Sequence, residues 1–172
     1  DHGVKAAAVE VSSHAIALDR VWGLNFAGGA FTNLTRDHLD FHRTFEDYRT
    51  TKRLFFERLT STRSFAAINA DDPAAAEFAN AVREGRVIRY SANHAHADIR
   101  LAIVSHDLSG TRGRLVFNGS SWPFASPLWG AFNHSNLAAM AAAAHGFGLD
   151  GESIVRGLSE FTGIPGRCER VP

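Results

Sequence analysis

The chain has 172 residues, with 18 basic against 18 acidic side chains and no formal net charge. That length makes one ordinary domain with a real core, and the charge balance excludes a protein built for electrostatic capture of nucleic acid or of an anionic membrane. A single cysteine, Cys168, excludes an internal disulfide framework and fits a reducing, cytoplasmic setting.

No apolar run approaches the ~20 residues that span a bilayer, and no signal peptide opens the chain. The first residues, "VKAAAVEV" (4–11), read as a buried-type strand, and "SSHAIALDRV" (12–21) as a helix starting on a Ser12/Ser13 cap. "GGAFTNL" (28–34) is a second strand, followed by the loop "TRDHLDFHR". The helix "TFEDYRTTKRLFFERL" (44–59) comes next, with Phe45, Tyr48, Phe55, Phe56 and Leu59 on one apolar face. "SFAAINA" (64–70) is a third strand, "DDP" a turn, "AAAEFANAVRE" (74–84) a helix and "RVIRYS" (86–91) a further strand. Strands alternating with helices of this length indicate an α/β fold with a doubly wound, mostly parallel sheet flanked by helices. Three alternating apolar runs separated by glycine turns then predict a small antiparallel β-meander (about 97–128), on the sheet edge or as a subdomain. Two helices, 133–147 and 150–161, complete the pattern, and "TGIPGR" reads as a hinge.

Ligands of doubly wound sheets collect at the C-terminal strand ends. Glu10, Ser12, Ser13 and His14 fall there after the first strand, Thr32, Asn33, Asp37 and His38 after the second, and Asn69, Asp71 and Asp72 after the third. Carboxylate and imidazole at neighbouring strand ends suit a divalent cation, while capping and turn formation explain the same serines and aspartates. His38 and His42, four apart, have the spacing of two zinc ligands but lack a third close by. Asn133 and Asn136 share one side of a helix start, where Asn133 is a natural N-cap and the two amides suit a purine edge. Lys52 lies in the middle of the aromatic stripe. Either its stem packs while the ammonium reaches water, or burial depresses its pKa. A neutral amine takes up carbon dioxide to give an anionic carbamate.

"EVSSHAIALDRV", "FTNLTRDHLDFH", "YRTTKRLFF", "NADD", "GAFNHSN" and "GIPGRCERV" follow one another in this order. Together they closely resemble the Mur ligases, and "EVSSHA" with "GAFNHSN" favours the MurE type, the tripeptide-forming synthetases. The resemblance implies a central ATP-binding domain over 1–165, with 166–172 starting the linker to an amino-acid-binding domain. It implies Glu10 and His38 as magnesium ligands, with Lys52 a carbamylated lysine that helps hold the metal. Ser12 and Arg20 match positions contacting a UDP-N-acetylmuramoyl-dipeptide, with Leu18 where some members use glutamine. Asn133 and Asn136 match adenine-binding residues, and Arg167 matches an arginine that reaches the nucleotide. Cys168 stands where the family usually has methionine.

The implied reaction is ATP-dependent amide ligation in peptidoglycan precursor synthesis. It adds diaminopimelate or lysine to UDP-N-acetylmuramoyl-L-Ala-D-Glu through an acyl phosphate, with Mg2+ as cofactor. Both chain ends read as cut, and the sequence contains no phosphate loop of the G-x-x-x-x-G-K-[ST] type or its shorter "GTNGKT" form. The expectation is therefore a piece of a longer enzyme, inactive by itself. A non-catalytic scaffold member or a folylpolyglutamate-type ligase are the alternatives. The first fits poorly with retention of Glu10, His38 and Lys52, the second with "EVSSHA".

Overall fold

Period-two alternation puts Phe65 and Ala67 on one face of a strand and Ala66 and Ile68 on the other, and all four are buried. Such a strand is central in its sheet and covered on both sides. The computed structural model describes residues 3–35, 41–93 and 96–164. Its six strands form one sheet: β1 (Gly28–Phe31), β2 (Phe65–Asn69), β3 (Arg86–Ser91), β4 (Ile99–Asp107), β5 (Gly110–Phe117) and β6 (Ser120–Ser126). Neighbours follow chain order, with parallel pairing from β1 to β4 and antiparallel pairing from β4 to β6. The expected meander is therefore the far half of the same sheet, joined to it where Tyr90 faces Ile99.

The described residues also form five helices, α1 (Ser13–Ala17), α2 (Phe45–Glu57), α3 (Ala75–Ala81), α4 (Phe132–Gly146) and α5 (Gly151–Glu160), of which the last four cover the sheet. On one face α2 and α3 bury Phe56 and Phe78 against Phe31, Ala66 and Ile68. On the other, α4 and α5 bury Leu137 and Ile154 against Phe65, Ala67, Tyr90, Leu101 and Leu115. Thus α/β architecture with two helical layers is what the sequence predicts. The ring of Phe65 lies so close to Gly28 and Gly146 that a Cβ at either position would sit 2.4 Å or 2.5 Å from it. Glycine is needed at both places for close approach rather than for backbone freedom.

Local signals explain the helix ends. Thr44 Oγ1 caps α2 by accepting from Asp47 N at 3.0 Å, and Asp150 Oδ1 caps α5 by accepting from Ser153 N at 2.7 Å. α1 is shorter than the expected helix over 12–21, because Asp19 turns left-handed at φ 51°. Asp19 N then bonds to Ile16 O at 3.2 Å and Arg20 N to Ala15 O at 2.9 Å, the double closure of a Schellman motif.

The expected strand over 4–11 does not form. The segment is exposed, Val4 and Val9 included, and it joins no ladder among the described residues. Apolar alternation gives a segment strand propensity, but a strand exists only with a partner. The second expected strand stops at Phe31 rather than Leu34, since the next carbonyl, Thr32 O, is taken by a side chain. α3 likewise keeps only seven residues of the expected eleven, with Val82 already extended.

Candidate active-site cleft

The exposed segment 7–12, strand β1 and helix α2 enclose a cleft of about 560 Å³, lined among others by Glu10, Ser12, Asn33 and Lys52. Gly28 and Gly29 of β1 also line it, with the rings of Phe65 and Phe55 packed where a Cβ would stand. Each polar side chain arrives from a different element. Glu10 is exposed at the end of the extended segment. Ser12 caps α1, its Oγ accepting from Ala15 N at 3.2 Å, so the ordinary capping role is filled and the hydroxyl proton is left to donate.

Lys52 is partly exposed, in keeping with the first of the two alternatives, a packed stem with the ammonium reaching water. Its Nζ donates to Asn33 O at 3.2 Å and lies 5.1 Å from the centroid of the Tyr48 ring. The stripe itself is real, with Tyr48, Phe56 and Leu59 buried. Lys52 stands at its margin, where the helix meets the loop after β1, so packed stem and solvated tip are both satisfied.

His42 is buried and its Nε2 lies 2.9 Å from Ser13 Oγ, with the rings of Phe41 and Tyr48 around it. That contact ties the loop before α2 to α1. His38, Asp37 and Arg167 lie outside the described residues, as do Cys168 and the proposed linker 166–172. Among the described residues no group of three or more histidine, cysteine or acidic side chains is placed to hold a metal.

Asp71 and Asp72 follow the structural alternative. Asp72 accepts from Ala74 N at 2.8 Å and Leu34 N at 2.9 Å. Asp71 accepts from Ser91 Oγ at 2.5 Å and Ala92 N at 3.0 Å.

Asn133 is not the N-cap of α4. The helix starts one residue earlier, after Ala131, and Asn133 lies in its first turn. Its Nδ2 donates back to Trp129 O at 2.8 Å, and its Oδ1 accepts from Asn136 Nδ2 at 3.2 Å. The two amides are therefore paired on one side of the helix mouth, as their spacing predicts, and Asn136 is exposed there. Neither lines the cleft, and nor does Arg20, which is exposed beyond α1.

Sequence reasoning missed what joins these parts. Asn69, buried at the end of β2, donates through Nδ2 to Thr32 O at 2.6 Å and to Ser135 Oγ at 3.3 Å. Its Oδ1 accepts from Asp71 N at 3.0 Å. Tyr90 OH donates to Phe31 O at 2.9 Å, and burial, the largest influence, pushes the phenol well above its usual range. Asn69 was legible only as a strand-end polar residue, and nothing marked Ser135 or Tyr90.

Two α4 histidines are held below their ordinary value of 6.5. For His134 the cause is burial first and then the neighbouring His106, whose ring is 4.8 Å away. For His145 it is burial, then Arg86, with Asp98 opposing. Above 6.5 folded and unfolded chains both keep them neutral, so they add no pH dependence. As pH falls through that value the unfolded chain binds protons that the folded one resists, so stability is lost on acidification. Urea midpoints are expected to drop between about pH 7.5 and about 5.5, and less so in a His134→Gln, His145→Gln variant. An equal drop in both proteins contradicts this assignment.

A family profile described as the Mur ligase middle domain matches residues 1–144. The chain is 42% identical to a UDP-N-acetylmuramoyl-L-alanyl-D-glutamate–2,6-diaminopimelate ligase of Synechocystis, over 98% of this chain and 33% of that protein. It is 38% identical to a UDP-N-acetylmuramyl-tripeptide synthetase of Deinococcus radiodurans, over 99% of this chain and 34% of the relative. A solved structure of a diaminopimelate ligase of the first kind superposes with a TM-score of 0.84 at 30% identity, covering 94% of this chain and 34% of that one. MurF from Acinetobacter baumannii, at 19% identity and a TM-score of 0.76, shares the fold. The chain thus spans about a third of the relatives it matches.

Proposed function

This chain belongs to the Mur ligase family through its middle domain, and from that premise we propose that it is the nucleotide-handling part of a longer ATP-dependent amide ligase of peptidoglycan precursor synthesis. The observation that carries the reading is the convergence of Glu10, Ser12 and Lys52 on one cleft beside the end of β1. The substrate is UDP-N-acetylmuramoyl-L-Ala-D-Glu, and the incoming amino acid is diaminopimelate or lysine. ATP transfers its γ-phosphoryl group to the free glutamyl carboxylate. The amine of the amino acid then attacks the acyl phosphate, expelling phosphate and leaving an amide.

Phosphoryl oxygens and a carboxylate repel one another, so this chemistry needs positive charge between them. Mg2+ suits the cleft, because it is held by one or two carboxylates plus substrate phosphates and keeps several waters. Glu10 supplies a carboxylate, and His38 and a carbamylated Lys52 complete the proposed donor set. When bound, the cation neutralises the approaching oxyanions. A carbamate nitrogen retains one N–H, so Lys52 can keep its contact with Asn33 O after modification.

The other residues bind and orient. The Ser12 hydroxyl donates to the muramoyl-dipeptide, and Arg20 pairs with its anionic groups. The paired amides of Asn133 and Asn136 read the adenine edge, since an amide both donates and accepts along N6 and N7. Arg167 approaches the nucleotide from the start of the linker.

The test is ADP release by the full-length protein. Release is expected only when the UDP-muramoyl-dipeptide is present, and sustained turnover only when the amino acid is added as well. ATP hydrolysis indifferent to the dipeptide defeats the proposed ligase activity, and no hydrolysis at all favours a scaffold role.

A further inference from the structure

The proposed adenine mouth on α4 and the proposed phosphate end beside Lys52 lie on different elements, and a single chain of hydrogen bonds links them. Its polarity is fixed by chemistry. A carbonyl only accepts, so Tyr90 O–H donates to Phe31 O at 2.9 Å. The Ser135 oxygen accepts from Asn69 Nδ2 at 3.3 Å, and the second amide proton goes to Thr32 O at 2.6 Å. Asn69 cannot rotate its amide to swap ends, because its Oδ1 is held by Asp71 N at 3.0 Å. Thr32 O is thereby fastened through Asn69 to the first turn of α4, and the carbonyl before it, Phe31 O, is held by Tyr90. The next carbonyl, Asn33 O, is the one that receives Lys52 Nζ. Ser135 lies between Asn133 and Asn136 in sequence, so the fastened turn is the one that carries both amides.

Resting on the proposed nucleotide role of this cleft, we propose that Asn69, Ser135 and Tyr90 are positioning residues that set the spacing between the base-reading amides and the phosphate-handling end. They touch neither base nor phosphate. They make the two ends of one ATP molecule bindable at once, which is where binding energy from the adenine is gained without an ordering cost at the moment of binding.

Ser135→Ala is the leading variant, because alanine favours the helix and only a hydroxyl is removed. Ser135→Thr keeps the hydroxyl and serves as the conservative control, while Tyr90→Phe releases the neighbouring Phe31 carbonyl with little change of volume. In the full-length enzyme, affinities for ATP and for inorganic tripolyphosphate, which has no base, are measured side by side, with KM for ATP and kcat.

The wild type is expected to bind ATP more tightly than tripolyphosphate. Ser135→Ala and Tyr90→Phe should narrow that gap by about tenfold, through weaker ATP binding alone. KM for ATP should rise while kcat at saturating ATP changes little, and Ser135→Thr should restore the gap. A wild type with no preference for ATP over tripolyphosphate overturns the adenine-reading role, and this proposal with it. A wild-type preference that survives intact in both folded variants overturns the positioning role alone. So does an equal loss for both ligands, which marks a general loosening of the fold.

Discussion

Replacing Lys52 by alanine in the full-length enzyme is expected to lower kcat on the order of 10²–10³-fold, the usual cost of deleting one preorganised charge-stabilising group. The cleft keeps its shape in such a variant. The Lys52 stem lies at the margin of the aromatic stripe, while Tyr48 and Phe56 hold α2 in place. Two further variants separate a carbamate from a plain cation. Lys52→Arg keeps a positive charge that cannot be lost at working pH, and so cannot become a carbamate; it should be as inactive as Lys52→Ala. Formate or acetate added to Lys52→Ala supplies a free carboxylate and should restore part of the rate. Full activity in Lys52→Arg means that a plain positive charge is the working group. Full activity in Lys52→Ala removes the residue from the chemistry altogether.

The largest loss of stability is expected at Phe78, which is fully buried. Its ring stacks on Phe31 at 4.0 Å between centroids and meets the Phe56 ring edge-on at 5.5 Å. Phe78→Ala deletes the shared partner of both rings, and such deletions cost about 3–5 kcal/mol in packed cores. Set against a total stability of about 5–15 kcal/mol, that is a large fraction. Leu108→Ala, at a leucine that is 70% exposed, should stay within about 0.5 kcal/mol. Denaturant midpoints compare the two, and equal shifts would show that this face is not the core it is described to be. Because the Phe31 carbonyl accepts from Tyr90 OH, weakening its ring packing is also expected to loosen the end of β1 beside the cleft.

Features decided within a few residues were legible in the sequence. The Ser12 cap of α1 forms, and the strand over 86–91 occurs with those limits. So does the pairing of Asn133 with Asn136, which needs only the helical repeat. What depended on distant partners was not legible. The segment 4–11 has a strand's composition, yet strand formation is a property of a pair, and β1 bonds to β2 alone among the described strands. Periodicity placed Lys52 on the apolar face but could not show that Asn33, nineteen residues earlier, offers its carbonyl at the margin. Asn69 looked like any polar residue at a strand end, because its two acceptors lie 37 and 66 positions away. Recognition of the six motifs reached further than spacing did, since it assigned Glu10, His38 and Lys52 a common purpose; of these Glu10 and Lys52 line the cleft, and His38 lies outside the described residues.

The Phe65 ring lodged between Gly28 and Gly146 ties the edge of the sheet to the last turn of α4 without a single polar contact. It follows that positions 28, 65 and 146 are not independent for anyone redesigning this domain. A side chain added at either glycine demands a smaller residue at 65, and a smaller residue at 65 leaves two walls facing a void. The three behave as one unit of variation, to be exchanged together or left alone.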